Sequence, residues 1–140
     1  MLIAAALAAI ASAATAQAPV LTQWRPVATP RWAPGAMYDE ATAKRKGDAV
    51  EAWVRFVDMR DHSPVEMTKD MQALAPKGSQ IDTRMVIDCV KPRFRIVSMR
   101  ITDASGRVLG EKASPDEPWQ RRGPRSRGAA MAPQMCRQIR

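Results

Sequence analysis

Apolar and polar residues alternate along two facing stretches in the second half of the chain. In residues 81–89, Ile81, Thr83, Met85, Ile87 and Cys89 fall on one side of an extended chain, and Asp82, Arg84 and Asp88 fall on the other. Val90-Lys91-Pro92 interrupts the pattern, and residues 93–101 resume it with Phe94 and Ile96 set beside Arg93 and Arg95. The alternation then slips by one place, because Val97, Met99 and Ile101 are apolar while Ser98, Arg100 and Thr102 are polar. A one-residue slip inside a strand is what a β-bulge produces, so the pattern predicts a hairpin with a bulge or sharp bend at residues 96–98. Cys89 points inward from this hairpin, toward a core where the partner cysteine can be held.

The same period of two predicts a strand over residues 49–57, with Val50, Ala52, Val54 and Phe56 facing in and Glu51, Trp53 and Arg55 on the more polar side. Trp53 is either packed beneath a neighbouring segment or exposed as a contact residue. Short strands are expected at residues 21–27, 36–39 and 107–111. Pro26 lacks an N–H for a ladder, which assigns the first of these to a sheet edge. Residues 43–48 read as a solvated hairpin loop turning at Lys46-Gly47-Asp48, although Lys44, Arg45 and Lys46 together also suit a small binding spot. Val65, Met67, Met71 and Leu74, preceded by Ser63-Pro64, predict a short helix or helical turn within residues 58–78. Asp103-Ala104-Ser105-Gly106 is a tight turn, and residues 114–118 form an irregular loop that ends at Trp119. Ser126 is a good N-cap for a last helix whose inner side comes from Ala129, Ala130, Ala132 and Met135 and which delivers Cys136. Gly128 and an interior Pro133, worth about 3 kcal/mol against helix, predict a broken turn instead of a continuous rod.

The two ends change this picture. Residues 1–18 carry no charge and hold an apolar run, Leu2 to Ile10, too short to span a bilayer. Ala16-Gln17-Ala18 follows as an A-x-A pattern, so we expect a signal peptide over residues 1–18 and a single domain over residues 19–140. Pro19 at the expected cut is not a cysteine that a lipid anchor requires, and the mature chain contains no transmembrane segment. The expected location is therefore periplasmic or secreted, without a lipoprotein anchor. In an oxidising compartment two cysteines suggest one disulfide, Cys89–Cys136, with two free buried thiols as the alternative.

Net charge is +8, and its distribution is uneven. Arg121, Arg122, Arg125, Arg127, Arg137 and Arg140 lie within residues 121–140, where no acid occurs. Arg121, Arg122, Arg125 and Arg127 are thus a candidate polyanion-binding set for anionic lipid, lipopolysaccharide or glycan, against the reading of a solvated tail. Nucleic acid is not an expected partner of an exported chain.

Little points to catalysis. The one histidine, His62, stands in a polar loop, and two cysteines with one distant histidine do not make a zinc site. Asp82 and Asp88, about 20 Å apart along a strand, read as solvated strand charges. No phosphate-binding glycine loop is present, so no enzyme activity, metal or cofactor is expected.

Taken in order, the landmarks are Trp24, Met37-Tyr38-Asp39, Val50-Glu51-Ala52-Trp53-Val54-Arg55 and Ile87-Asp88-Cys89 with Arg93-Phe94-Arg95. Asp103-Ala104-Ser105-Gly106, Pro118-Trp119, Pro124-Arg125-Ser126 and Cys136 follow. This series resembles the surface-adhesin E-like family of small exported bacterial proteins, over nearly the whole mature chain. Pro124-Arg125-Ser126 stands where the family usually has Pro-Gly-Ser. The resemblance implies an α+β fold, a compact antiparallel sheet of about six strands with a C-terminal helix tied to it by a disulfide, here Cys89–Cys136. It also implies a binding or adhesion module with an envelope or extracellular protein as partner, because the family is named for an outer-membrane lipoprotein that binds host matrix and serum proteins. The chain departs from that adhesin in lacking an acylated cysteine, in residues 58–78 and in its arginine-rich C-terminus. Trp24, Trp32 and Trp119 are the candidate contact aromatics.

Overall fold

The computed structural model describes residues 23–31, 35–56, 79–103, 105 and 107–140. The expected signal peptide, Trp32, His62 and the expected helix within residues 58–78 lie outside the described residues. Among the described residues, eight strands, β1 (Trp24–Pro26), β2 (Ala36–Asp39), β3 (Lys44–Lys46), β4 (Ala49–Phe56), β5 (Gln80–Asp88), β6 (Arg93–Thr102), β7 (Val108–Ala113) and β8 (Gln120–Arg121), precede one helix, α1 (Arg127–Gln138). All the pairings are antiparallel. Six strands follow the order β1-β2-β4-β5-β6-β7, with β3 added to β4 and β8 to β6. The fold is the expected α+β arrangement, and β1 with its Pro26 is an edge strand as the missing N–H requires.

The central hairpin forms, and its bulge falls where the phase slips. Met85 pairs with Ile96 and Arg84 with Ser98, leaving Val97 as the extra residue on β6. That insertion keeps Ile96, Met99 and Ile101 on the core side and turns Ser98, Arg100 and Thr102 to the opposite face. Without it, half of β6 would present charge to the core.

Core packing lies between one sheet face and α1. Val50, Val54, Ile87 and Ile101 from the strands are fully buried with Met131 and Met135 from the helix. Each such side chain contributes about 1.5–3 kcal/mol of transfer free energy. Ser126 caps the helix, its Oγ accepting from the Ala129 N–H at 3.1 Å. The helix runs unbroken through Pro133, against the expected broken turn. Pro133 is exposed, so its ring lies away from the sheet, while Met131, Ala132, Met135 and Ile139 hold the frame on the buried side. Tertiary packing outweighs the local propensity.

Cys89 and Cys136 are joined, with Cα atoms 5.8 Å apart, so the helix is fastened to the chain just after β5. No free thiols occur.

The structure amends two local expectations and adds one strand. Lys44, Arg45 and Lys46 form exposed strand β3, hairpinned to β4 through Gly47-Asp48. Gly47 takes a φ of 58° at the first turn position, as a type II′ turn requires. Residues 120–121, to which the sequence pattern assigns no element, add β8 to β6 opposite Phe94 and Arg93. Asp82 and Asp88 are buried, not solvated, because each has partners that replace water.

Candidate functional site

The sheet face turned away from α1 is built from paired charges and indole rings. Arg55 lies opposite Asp82 in the β4–β5 register and clasps it with two hydrogen bonds, both 2.8 Å. The same guanidinium sits 4.2 Å from the Trp24 ring centroid, so the edge strand covers the ion pair. Next along β4, Trp53 is 3% exposed, with the Arg100 guanidinium 4.7 Å above its ring. Arg100 also donates to Glu111 at 3.3 Å. Trp53 is thus packed, the first of the two readings open for it.

Glu51 is held by Arg84 and by Lys46, the latter at 3.3 Å. Burial pushes its carboxyl upward, but hydrogen bonds from Arg84 and Lys46, with Lys44 nearby, outweigh that and keep it below the usual carboxylate range. An open groove of about 690 Å³ runs above these residues, floored by Trp53, Glu51 and Val97 and flanked by Lys44, Arg95 and Glu111.

At the hairpin end the chemistry becomes more basic. Asp88 Oδ1 accepts from the Val90 and Lys91 N–H groups, both at 2.9 Å, and Oδ2 from Arg93 Nε at 2.8 Å. These bonds, the Lys91 N–H foremost, overcome the opposing effect of burial and hold the Asp88 carboxyl at about 2. Trp119 lies against both Arg93 and Arg95, whose guanidinium carbons are 4.5 and 4.9 Å from its ring centroid. Arg121 on β8 stands directly opposite Arg93 on β6, which places the two side chains on one face.

The arginines singled out from sequence are not equivalent. Arg121 and Arg125 are exposed. Arg122 is half-buried and structural: its Nη2 donates to the Lys91 carbonyl at 3.1 Å and the Asp88 carbonyl at 3.3 Å, and its stem lies beside Gly128 of the helix. Burial lowers its pKa, against the opposing pull of Asp88. The backbone of Arg127 begins the helix. The Arg122 N–H also donates to the Pro92 carbonyl at 2.9 Å, which ties this segment to the hairpin turn, and a shallow crevice of about 720 Å³ opens beside the junction, lined by Pro92, Arg121, Arg122 and Pro124.

Sequence reasoning passed over Arg93 and Arg95 as site residues. They appeared as the polar neighbours of Phe94, and only the β8 pairing shows that Trp119 and Arg121 come to rest beside them. The signal available was an Arg-x-Arg alternation on a strand, which is too common to select a site.

Among the described residues, no cluster of His, Cys, Asp or Glu is suited to a metal, and no helix is long and apolar enough to cross a membrane.

An antiparallel sheet with a disulfide-tethered C-terminal helix on one face and an arginine- and tryptophan-bearing opposite face defines a small stapled α+β module. The family model described as surface-adhesin protein E matches residues 24–137, and the chain belongs to that family. No curated protein and no solved structure matches it.

Proposed function

We propose that this chain is a non-enzymatic exported protein of the cell envelope that works as a binding module of adhesion type. The observation that carries the reading is the family match across residues 24–137. The joined cysteines are compatible with an oxidising compartment, and the leader-like residues 1–18 supply a route to it. Its partner on this reading is an envelope or extracellular protein. The test is capture of partners by the oxidised chain from residue 19 onward, using envelope fractions and immobilised matrix and serum proteins. Retention that survives high salt supports a protein partner, whereas no retention on any of these would overturn the reading.

A second reading is electrostatic binding of polyanions through Arg121, Arg122, Arg125 and Arg127. It is favoured by the exposure of Arg121 and Arg125 in a segment without acids. Binding of this kind falls steeply with salt, at a slope that follows the number of cations engaged. Replacing the four arginines by serine should abolish it, and binding unchanged by that replacement would exclude it.

A further inference from the structure

The groove on the outer sheet face and the stack of Arg93, Trp119 and Arg95 share a residue, Arg95, and so form one continuous surface. We propose that this surface seats an acidic oligosaccharide, a run of sugars bearing sulfate or carboxylate groups, with Arg95 and Arg121 meeting the anions and Trp119 a sugar ring. The inference rests on the polyanion reading above and moves its site from the C-terminal segment to the sheet.

Charge is the first argument. The acids on this face are already committed: Asp88 to Arg93 and the turn, Glu51 to Arg84 and Lys46, and Glu111 to Arg100. Asp116 and Glu117 lie on the loop that leads to Trp119. Arg95 and Arg121 have no carboxylate partner among the described residues, and Arg95 Nε is buried without an acceptor. Stacking on Trp119 fixes the Arg95 guanidinium in advance, so little side-chain freedom is lost when an anion arrives.

Shape and composition select the kind of anion. The groove, at about 690 Å³, lies within the range of small-ligand sites, and it is open, as a chain passing across it needs. Trp119 is half-buried beneath two guanidinium groups, so the part of the indole left exposed suits contact with a sugar ring and does not stand out far enough to enter a bilayer. Exposed large apolar residues among those described are Val90 and Val108, too few for a membrane footing. Single-stranded nucleic acid is read by successive stacking aromatics, and here Trp119 is alone on the basic patch among the described residues.

The experiment is a calorimetric titration of the oxidised chain with a heparin-derived hexasaccharide, and with vesicles of phosphatidylglycerol as a second probe. Wild type should bind the hexasaccharide, Arg95→Gln and Trp119→Leu should weaken it about tenfold or more, and Arg137→Ser, an exposed arginine on the last turn of the helix, should leave it within about twofold. Arg121→Ser, at an exposed strand position, should also weaken it and guards against a folding defect in Trp119→Leu. Loss with Arg125→Ser but not with Arg95→Gln overturns the placement on the sheet while the polyanion reading survives. Binding to the vesicles and not to the hexasaccharide overturns the glycan and again leaves that reading standing. Binding to neither probe removes both.

Discussion

Arg45 on β3 reaches the far end of α1, where its Nη2 donates to the Cys136 carbonyl at 2.5 Å and its Nε to the Ile139 carbonyl at 3.3 Å. The last carbonyls of a helix have no partner within it, and the helix dipole places partial negative charge there. A cation from an exposed strand therefore closes the helix and clasps it to β3. Arg45→Gln should lower the unfolding free energy by about 1 kcal/mol in urea denaturation of the oxidised protein. An unchanged midpoint would mean that water serves these carbonyls equally well.

Asp88 predicts how stability responds to acid. Its carboxyl titrates at about 2 in the fold, below an unstructured aspartate near 4, so the ionised form favours the native state. The contribution is complete above about pH 4 and is lost as pH falls through about 2. Glu51 and Asp103 are shifted in the same direction, which adds to the loss. Asp88→Asn should reduce the difference in unfolding free energy between pH 5 and pH 2.5, read from urea curves at each pH. An undiminished difference would show that other carboxylates carry it.

Arg55 and Asp82 form a pair whose two halves are unequally exposed. Asp82 is 1% exposed, and the Arg55 side chain retains partial contact with solvent. Arg55→Met strands a carboxylate beneath Trp24 and should cost about 3 kcal/mol, at the lower end for a broken buried pair. Replacing both partners, as Arg55→Met with Asp82→Leu, should restore much of that loss. The double-mutant cycle measures the coupling directly, and additive losses would deny it.

How much of this was legible in the sequence depends on how local the signal is. Alternation placed β4, β5 and β6, and the slip at Val97 located the bulge, because a buried face leaves no freedom of register. Ser126 announced the helix start through its own backbone neighbour. By contrast, the two-residue strand β8 has no pattern of its own and exists because β6 offers it an edge. The burial of Asp82 and the partnership of Arg93, Arg95 and Trp119 depend on pairings between distant segments, and a one-dimensional pattern carries no record of those. Pro133 misled for the same reason, since its cost is local and the packing that offsets it is not.

Cys89 and Cys136 enclose a loop 47 residues apart in sequence, for which the chain-entropy model gives a stabilisation of roughly 4 kcal/mol. Replacing both by alanine should approach that loss in denaturant, and a loss under about 1 kcal/mol would show that the helix is held chiefly by Met131 and Met135.

The same bridge governs what happens to a nicked chain. Hydrolysis of any one peptide bond between residues 89 and 136 leaves a single covalent molecule, in which β7, β8 or the helix stays attached to the strands it packs against. The segment that supplies Trp119 and Arg121 falls entirely within that loop. A protease that opens the loop once therefore does not release the basic face from the sheet.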